Sequence, residues 1–146
     1  MSFAQAHAIS DVCVLVRDLE ASIAFYRDRL GFRLAHRAPG FADFSGAGLT
    51  LALWERGHLS AHTGTPVDPT APSAMAIAVK FESAAVLDAA HAELSAAGVA
   101  FVSPPAVYPW NAYCAYFAGP DGETWELYAW LPGGAPGVLQ PNGDTP

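Results

Sequence analysis

His58 and His62 stand four apart, the interval at which two imidazoles share one face of a helix and can hold a metal ion between them. Their surroundings argue otherwise. Residues 57 to 73 carry three prolines and no apolar period, which suits a solvated linker. The remaining histidines are dispersed: His7 precedes the first strand-like segment, His36 lies in the second, and His91 sits on a helical segment three before Leu94. Strand parity leaves His36 either facing a ligand cavity or packed against a helix. Cys13 and Cys114 fall in apolar, strand-like stretches without CxxC spacing, so they read as buried, reduced thiols in a cytoplasmic protein. The 14 acidic and 7 basic side chains give a net charge of −7, and the basic ones form no run. Nucleic acid is therefore not an expected partner.

The elements that must carry these residues are legible from periodicity. Segment 9 to 16 is rich in β-branched residues and reads as a strand, after which Asp18 offers an N-cap oxygen. Leu19, Ile23, Tyr26 and Leu30 then recur on one helical face, and Gly31 supplies the left-handed stop. Strands are expected at 32 to 38, 41 to 45 and 48 to 55. The pattern restarts with a strand at 74 to 82, Ser83 as N-cap, and a helix to Ala97 that turns Leu87, Ala90 and Leu94 inward. Gly98 ends it, and strands follow at 99 to 103, 111 to 118 and 123 to 130.

The order strand, helix, glycine, three strands thus occurs twice, with Gly31-Phe32 answering Gly98-Val99 at an offset of 67 residues. A chain of 146 residues, 52% hydrophobic, has the size and apolar content of one domain. The expected fold is α+β: two βαβββ modules forming a curved mixed sheet around a cavity. Module one spans 9–56, the linker 57–73 and module two 74–131, with an irregular Gly- and Pro-rich tail over 132–146. No basic region followed by an apolar run opens the chain and no stretch reaches membrane-spanning length, so neither a signal peptide nor a membrane partner is expected.

Several short runs, taken in order, resemble the vicinal oxygen chelate superfamily, the glyoxalase/bleomycin-resistance/extradiol-dioxygenase group. They are Val16-Arg17-Asp18-Leu19-Glu20-Ala21-Ser22, Phe25-Tyr26, Leu30-Gly31-Phe32, Leu51-Ala52-Leu53, Ala96-Ala97-Gly98-Val99 and the run from Tyr116 to Leu127. The last contains Pro120-Asp121-Gly122, whose proline and glycine suit a type I turn between strands. In metal-dependent members, four cavity-facing positions supply ligands, on the first and last strand of each module. The resemblance carries these onto Asp11, Ala52, Ala74 and Glu126. Two alanines coordinate nothing, and two carboxylates with water would suit at best a hard divalent ion. The expectation is therefore no metal cofactor, with one divalent ion held by Glu126 and Asp11 as the alternative. Two further departures stand out: Gly119 where relatives usually carry Asp, and Tyr113 where they often carry Arg.

If Asp11 faces the cavity, alternation adds Cys13 on its strand, Thr50 and Trp54 beside Ala52, and Thr124 and Tyr128 beside Glu126. Resemblance to relatives with a ligand-contacting tyrosine before the turn points to Tyr116, and parity adds Cys114. Such a lining of aromatics and two acids suits a planar aromatic or cationic organic ligand. A small closed core filled by the same aromatics is the plainer reading. Desolvation favours the protonated form of a carboxyl in an apolar cavity, which makes Glu126 and Asp11 candidate catalytic acid–base groups. Trp110 and Asn111, with the flanking prolines, form either a lid or a rigid turn. Three functions follow: metal-free sequestration of a small organic molecule, a glyoxalase-type lyase or isomerase using Glu126 and Asp11, or a structural or interaction module. The resemblance also implies a homodimer.

Overall fold

The computed structural model describes residues 2–46 and 48–132, and they fall into two compact units. The first holds residues up to Met75 together with Ala118–Glu123, and the second runs from Ala76 to Phe117 and resumes at Thr124. No helix among the described residues is long and apolar enough to cross a membrane. The expected tail lies, beyond Pro132, outside the described residues.

In the first unit a short helix α1 (Phe3–Ala6) precedes β1 (Asp11–Val16), α2 (Leu19–Ala24), β2 (Arg33–Ala38), β3 (Phe41–Ser45), β4 (Thr50–Glu55) and α3 (Arg56–Thr63). Asp18 caps α2 as expected, accepting from the Ala21 N–H at 3.0 Å, a contact worth about 1 kcal/mol. The helix widens into a π turn over Phe25–Arg29, with the Leu30 N–H reaching the Phe25 carbonyl, before Gly31 stops it at φ +80°. Leu19, Ile23 and Tyr26 on its inward face are buried, as are Val14, Val16, Phe44 and Leu53 on the strands, and the Tyr26 ring packs on Phe44 at 5.9 Å. The four strands order β1-β4-β3-β2, with β1 and β4 parallel and the rest antiparallel.

The expected linker begins as a helix instead. Nothing apolar repeats in α3, so its stability is tertiary: Leu59 is buried, and the buried Arg56 guanidinium donates to the carbonyls of Leu15, Asp68 and Ala71. Gly64 at φ +72° ends it. The irregular remainder is thereby tied down by one arginine.

The second unit carries β5 (Ala76–Lys80), α4 (Ala84–Ala96), β6 (Phe101–Tyr108), β7 (Ala112–Ala118) and β8 (Thr124–Trp130), in sheet order β5-β8-β7-β6. Ser83 caps α4 through the Val86 N–H at 3.2 Å. Of the helix positions expected inward, Leu87 is buried, while Ala90 and Leu94 are half-buried. The strand expected at 99 to 103 lies over Phe101–Tyr108 and includes Pro104 and Pro105. It is an edge strand whose register shifts on both sides of Ser103, which is where a sheet tolerates residues that cannot donate. Trp110 and Asn111 form the tight β6–β7 turn, Asn111 at φ +61° and its N–H on the Tyr108 carbonyl at 3.1 Å.

Candidate functional site

On the first unit, strand register decides which side chains share a face. Asp11 pairs with Thr50, Cys13 with Ala52 and Leu15 with Trp54, so these six lie on one side of the sheet, opposite the buried Val14, Val16, Leu51 and Leu53. The expected face is therefore present. Its next neighbours on β3 are Asp43, opposite Ala52, and Phe41, opposite Trp54. His36, left undecided by parity, pairs with Asp43 and turns to the same side.

The Asp11, Trp54, Asp43 and His36 side chains on this face are each hydrogen-bonded. The Ser10 hydroxyl donates to Asp11 at 2.5 Å. Burial, reinforced by the Asp11 charge, pushes the Cys13 thiol up to about 11, so it is a neutral thiol at physiological pH. Trp54 donates its indole N–H to His58 Nδ1 at 3.0 Å, and the His58 ring stacks on His62 at 4.0 Å. His62 Nδ1 sits 2.8 Å from the His58 carbonyl, which can only accept, so that nitrogen carries the hydrogen. The helical spacing of the two histidines is thus real, but it stacks their rings on each other while His58 alone holds Trp54.

On the second unit, β8 buries Trp125, Leu127 and Ala129 and turns Thr124, Glu126 and Tyr128 the other way, as alternation requires. Tyr116 on β7 donates its hydroxyl to Glu126 Oε2 at 2.5 Å. Burial and this bond raise the phenol well above the ordinary tyrosine range, so it remains a donor. The Tyr108 ring meets Tyr116 edge-on at 5.6 Å and stacks on Trp110 at 4.8 Å. Burial also raises the Cys114 thiol, which is fully buried on the Tyr116 side of the strand. Tyr128 packs edge-on to Trp130 at 5.7 Å. Tyr113 points away from this cluster and donates to Asp88 on α4 at 2.6 Å.

The Glyoxalase/Bleomycin resistance protein/Dioxygenase superfamily profile matches residues 7–127. The chain belongs to this superfamily. A glyoxalase/bleomycin resistance protein/dioxygenase from Nocardioides is 47% identical, with a TM-score of 0.85 over 92% of this chain and 90% of its own. A glyoxalase-related enzyme from Fulvimarina pelagi is 26% identical, with a TM-score of 0.71 over 95% and 96%. A lactoylglutathione lyase from Agrobacterium tumefaciens, 23% identical with a TM-score of 0.68 over 84% and 92%, shares the fold. No curated protein matches the chain significantly.

The superfamily's metal does not fit the donors present. Registers are equivalent in the two units: Thr124, two before Glu126, pairs with Ala76, as Thr50, two before Ala52, pairs with Asp11. The position matching Asp11 is therefore Ala76 rather than Ala74, which lies before β5. It is still an alanine. With Ala52 and Ala76 donorless, and Glu126 and Asp11 each bonded to a hydroxyl, no group of three or more His, Cys, Asp or Glu among the described residues is arranged to hold an ion.

Sequence reasoning missed Asp43, Phe41, Tyr108 and the Trp54–His58 bond. Asp43 and Phe41 were within reach, since β3 must place them opposite Ala52 and Trp54 once the β3–β4 hairpin register is known. Tyr108 was not, because the strand that carries it runs through two prolines.

Proposed function

We propose that this superfamily member binds a small planar or cationic organic molecule without a metal, as its sequestering relatives do. The observation that carries the reading is the Tyr116 to Glu126 bond at 2.5 Å beside the Tyr108 and Trp110 rings. One carboxylate oxygen is taken by the phenol, and the other, with no hydrogen bond among the described residues, is left for a ligand. Aromatic faces attract a cation by about 0.5–2 kcal/mol, and the carboxylate fixes its orientation. Cys114 and Tyr128 complete that face, while Asp11, Cys13, Thr50 and Trp54 are ligand candidates on the face of the first unit.

The test uses proflavine, a planar cation, against 2-naphthoate, a planar anion, read by tryptophan fluorescence. Saturable proflavine binding that weakens about tenfold or more in Glu126→Gln supports the reading. Absence of saturable binding overturns it, as does stoichiometric metal after chelator-free purification that is lost in Glu126→Gln. A second reading, a lyase or isomerase using Glu126 and Asp11 as acid–base groups, draws on the carboxylate kept at Glu126 and on the glyoxalase-related relative. Turnover lost in Glu126→Gln without metal would favour it.

A cytoplasmic location and a homodimer belong to the same proposal. Cys13 and Cys114 are both free, and Val86, Val102 and Val107 expose apolar surface that a second copy would cover. Light scattering in solution reads the dimer directly.

A further inference from the structure

Cys13, Ala52, Asp43 and His36 form one row across β1, β4, β3 and β2 of the first unit. The row holds a carboxylate one strand away from the alanine that replaced the superfamily's ligand. Asp43 is mostly buried, its side chain 15% exposed, whereas the His36 side chain is 79% exposed. His36 Nδ1 lies 2.9 and 3.2 Å from the two Asp43 oxygens. A carboxylate only accepts, so Nδ1 is the donor of this pair, and the ring's other nitrogen, Nε2, lies on the side away from Asp43. The pair lines a recess of about 270 Å³ together with Ser45, Leu49 and Thr50, the Ser45 hydroxyl being held by Arg33, 3.5 Å from its carbonyl and 3.4 Å from its Nε. An oriented base, a hydroxyl at Thr50 and the apolar Leu49 in one concavity are the parts of a proton-transfer site.

We propose that His36 is the general base of such a site, acting on a small, planar carbon acid, and that Asp43 is its positioning residue. His36 Nε2 takes a proton from carbon, and the C–H electron pair moves toward the substrate's electron-withdrawing group. Thr50, in the same recess, carries the hydroxyl that would meet the charge that develops there. The proton leaves Nε2 for the substrate or for solvent, and nothing is oxidised or reduced. The site uses only residues of the first unit and shares Thr50 with the ligand candidates there, but not Glu126, where the ligand reading is tested.

The probe is 5-nitrobenzisoxazole, a planar carbon acid. Removal of its C3 proton forms the C≡N bond, breaks N–O and releases an absorbing phenolate, with no cofactor required. The expected result is a wild-type rate above that of equimolar free imidazole, lowered about 100-fold in His36→Gln. The pH–rate profile of the wild type carries an ionisation that is missing in His36→Gln. Asp43→Ala lowers the rate about tenfold, and Asp43→Asn, which keeps an acceptor for Nδ1, retains more of it. His91→Gln, on α4, leaves the rate unchanged, and thermal melts of every variant control for folding. A wild-type rate equal to free imidazole or to His36→Gln overturns the proposal. An Asp43→Ala rate equal to wild type overturns the positioning role. Because proflavine binding is read at Glu126, failure of either proposal is visible without the other.

Discussion

Tyr26 donates its hydroxyl to Glu123 Oε1 at 2.7 Å, and both side chains are completely buried. The other carboxylate oxygen accepts the Asp121 N–H at 3.0 Å. Glu123 is thereby folded back under its own turn, into the space above Gly119. A Cβ built on Gly119 would lie 1.7 Å from Glu123 Oε1. The resemblance puts a carboxylate at 119 in many relatives; in this chain the carboxylate comes from 123 and occupies that volume.

Gly119→Ala should therefore cost about 1–3 kcal/mol, the range for overpacking a rigid interior, and urea denaturation measures it. Gly119 needs no left-handed φ, so the cost is one of space. An alanine variant as stable as wild type would show that Glu123 can leave the turn freely.

Burial raises the Glu123 carboxyl above the ordinary glutamate range, with the nearby Asp121 charge adding to it. The sign follows from linkage. An acid whose folded value is raised binds more protons folded than unfolded, so its stabilisation is complete below the unfolded value of about 4.3. It is lost as pH rises from there through the folded value. Glu123→Gln, which keeps the acceptor for Tyr26, should flatten that part of the stability–pH curve. Denaturation midpoints collected from pH 4 upward decide it, and an unchanged slope would assign the pH dependence elsewhere.

The module pattern, the two N-caps and the Pro120-Asp121-Gly122 turn were legible because each rests on local chemistry. The Gly122 N–H indeed closes on the Gly119 carbonyl at 3.0 Å. The facing sides of β1, β4 and β8 were legible too, since a strand's period fixes alternation once one residue is placed. What escaped depends on partners distant in sequence. Helix α3 has no apolar period and owes its position to Arg56. His36 could be assigned a face only after Asp43 was found opposite it. The expected strand from 123 gives Glu123 the parity of Trp125 and Leu127, but nothing local announces that its partner is Tyr26, 97 residues earlier.

His58 holds the Trp54 indole, and Gly40 gives it room: a Cβ at Gly40 would lie 2.5 Å from the His58 ring. Gly40 also sits at φ +70°, where an L side chain is strained. Gly40→Ala should destabilise by about 1–3 kcal/mol through both effects. His58→Leu should cost about 1 kcal/mol for the unpaired indole N–H. Both should change Trp54 fluorescence, because each moves or removes the ring that contacts the indole. Trp54→Phe, read alongside, identifies the signal, and spectra unchanged in His58→Leu would dismiss the contact.

Cys13 tests the electrostatics of the same face chemically. Its thiol is pushed up to about 11, first by burial and then by the Asp11 charge. At pH 8 about one molecule in a thousand then carries the thiolate, the reactive species. Iodoacetamide should label Cys13 slowly at pH 8, and the rate should climb roughly tenfold per pH unit until it levels near 11. Asp11→Asn removes the smaller cause and should speed labelling at fixed pH, while leaving the larger, burial, in place. Mass spectrometry distinguishes Cys13 from the buried Cys114. Rapid labelling of Cys13 at pH 8 would mean that the Ala52 side of β1 is wetter than its burial implies, and with it that the first unit's face is open enough to admit a ligand without displacing packed side chains.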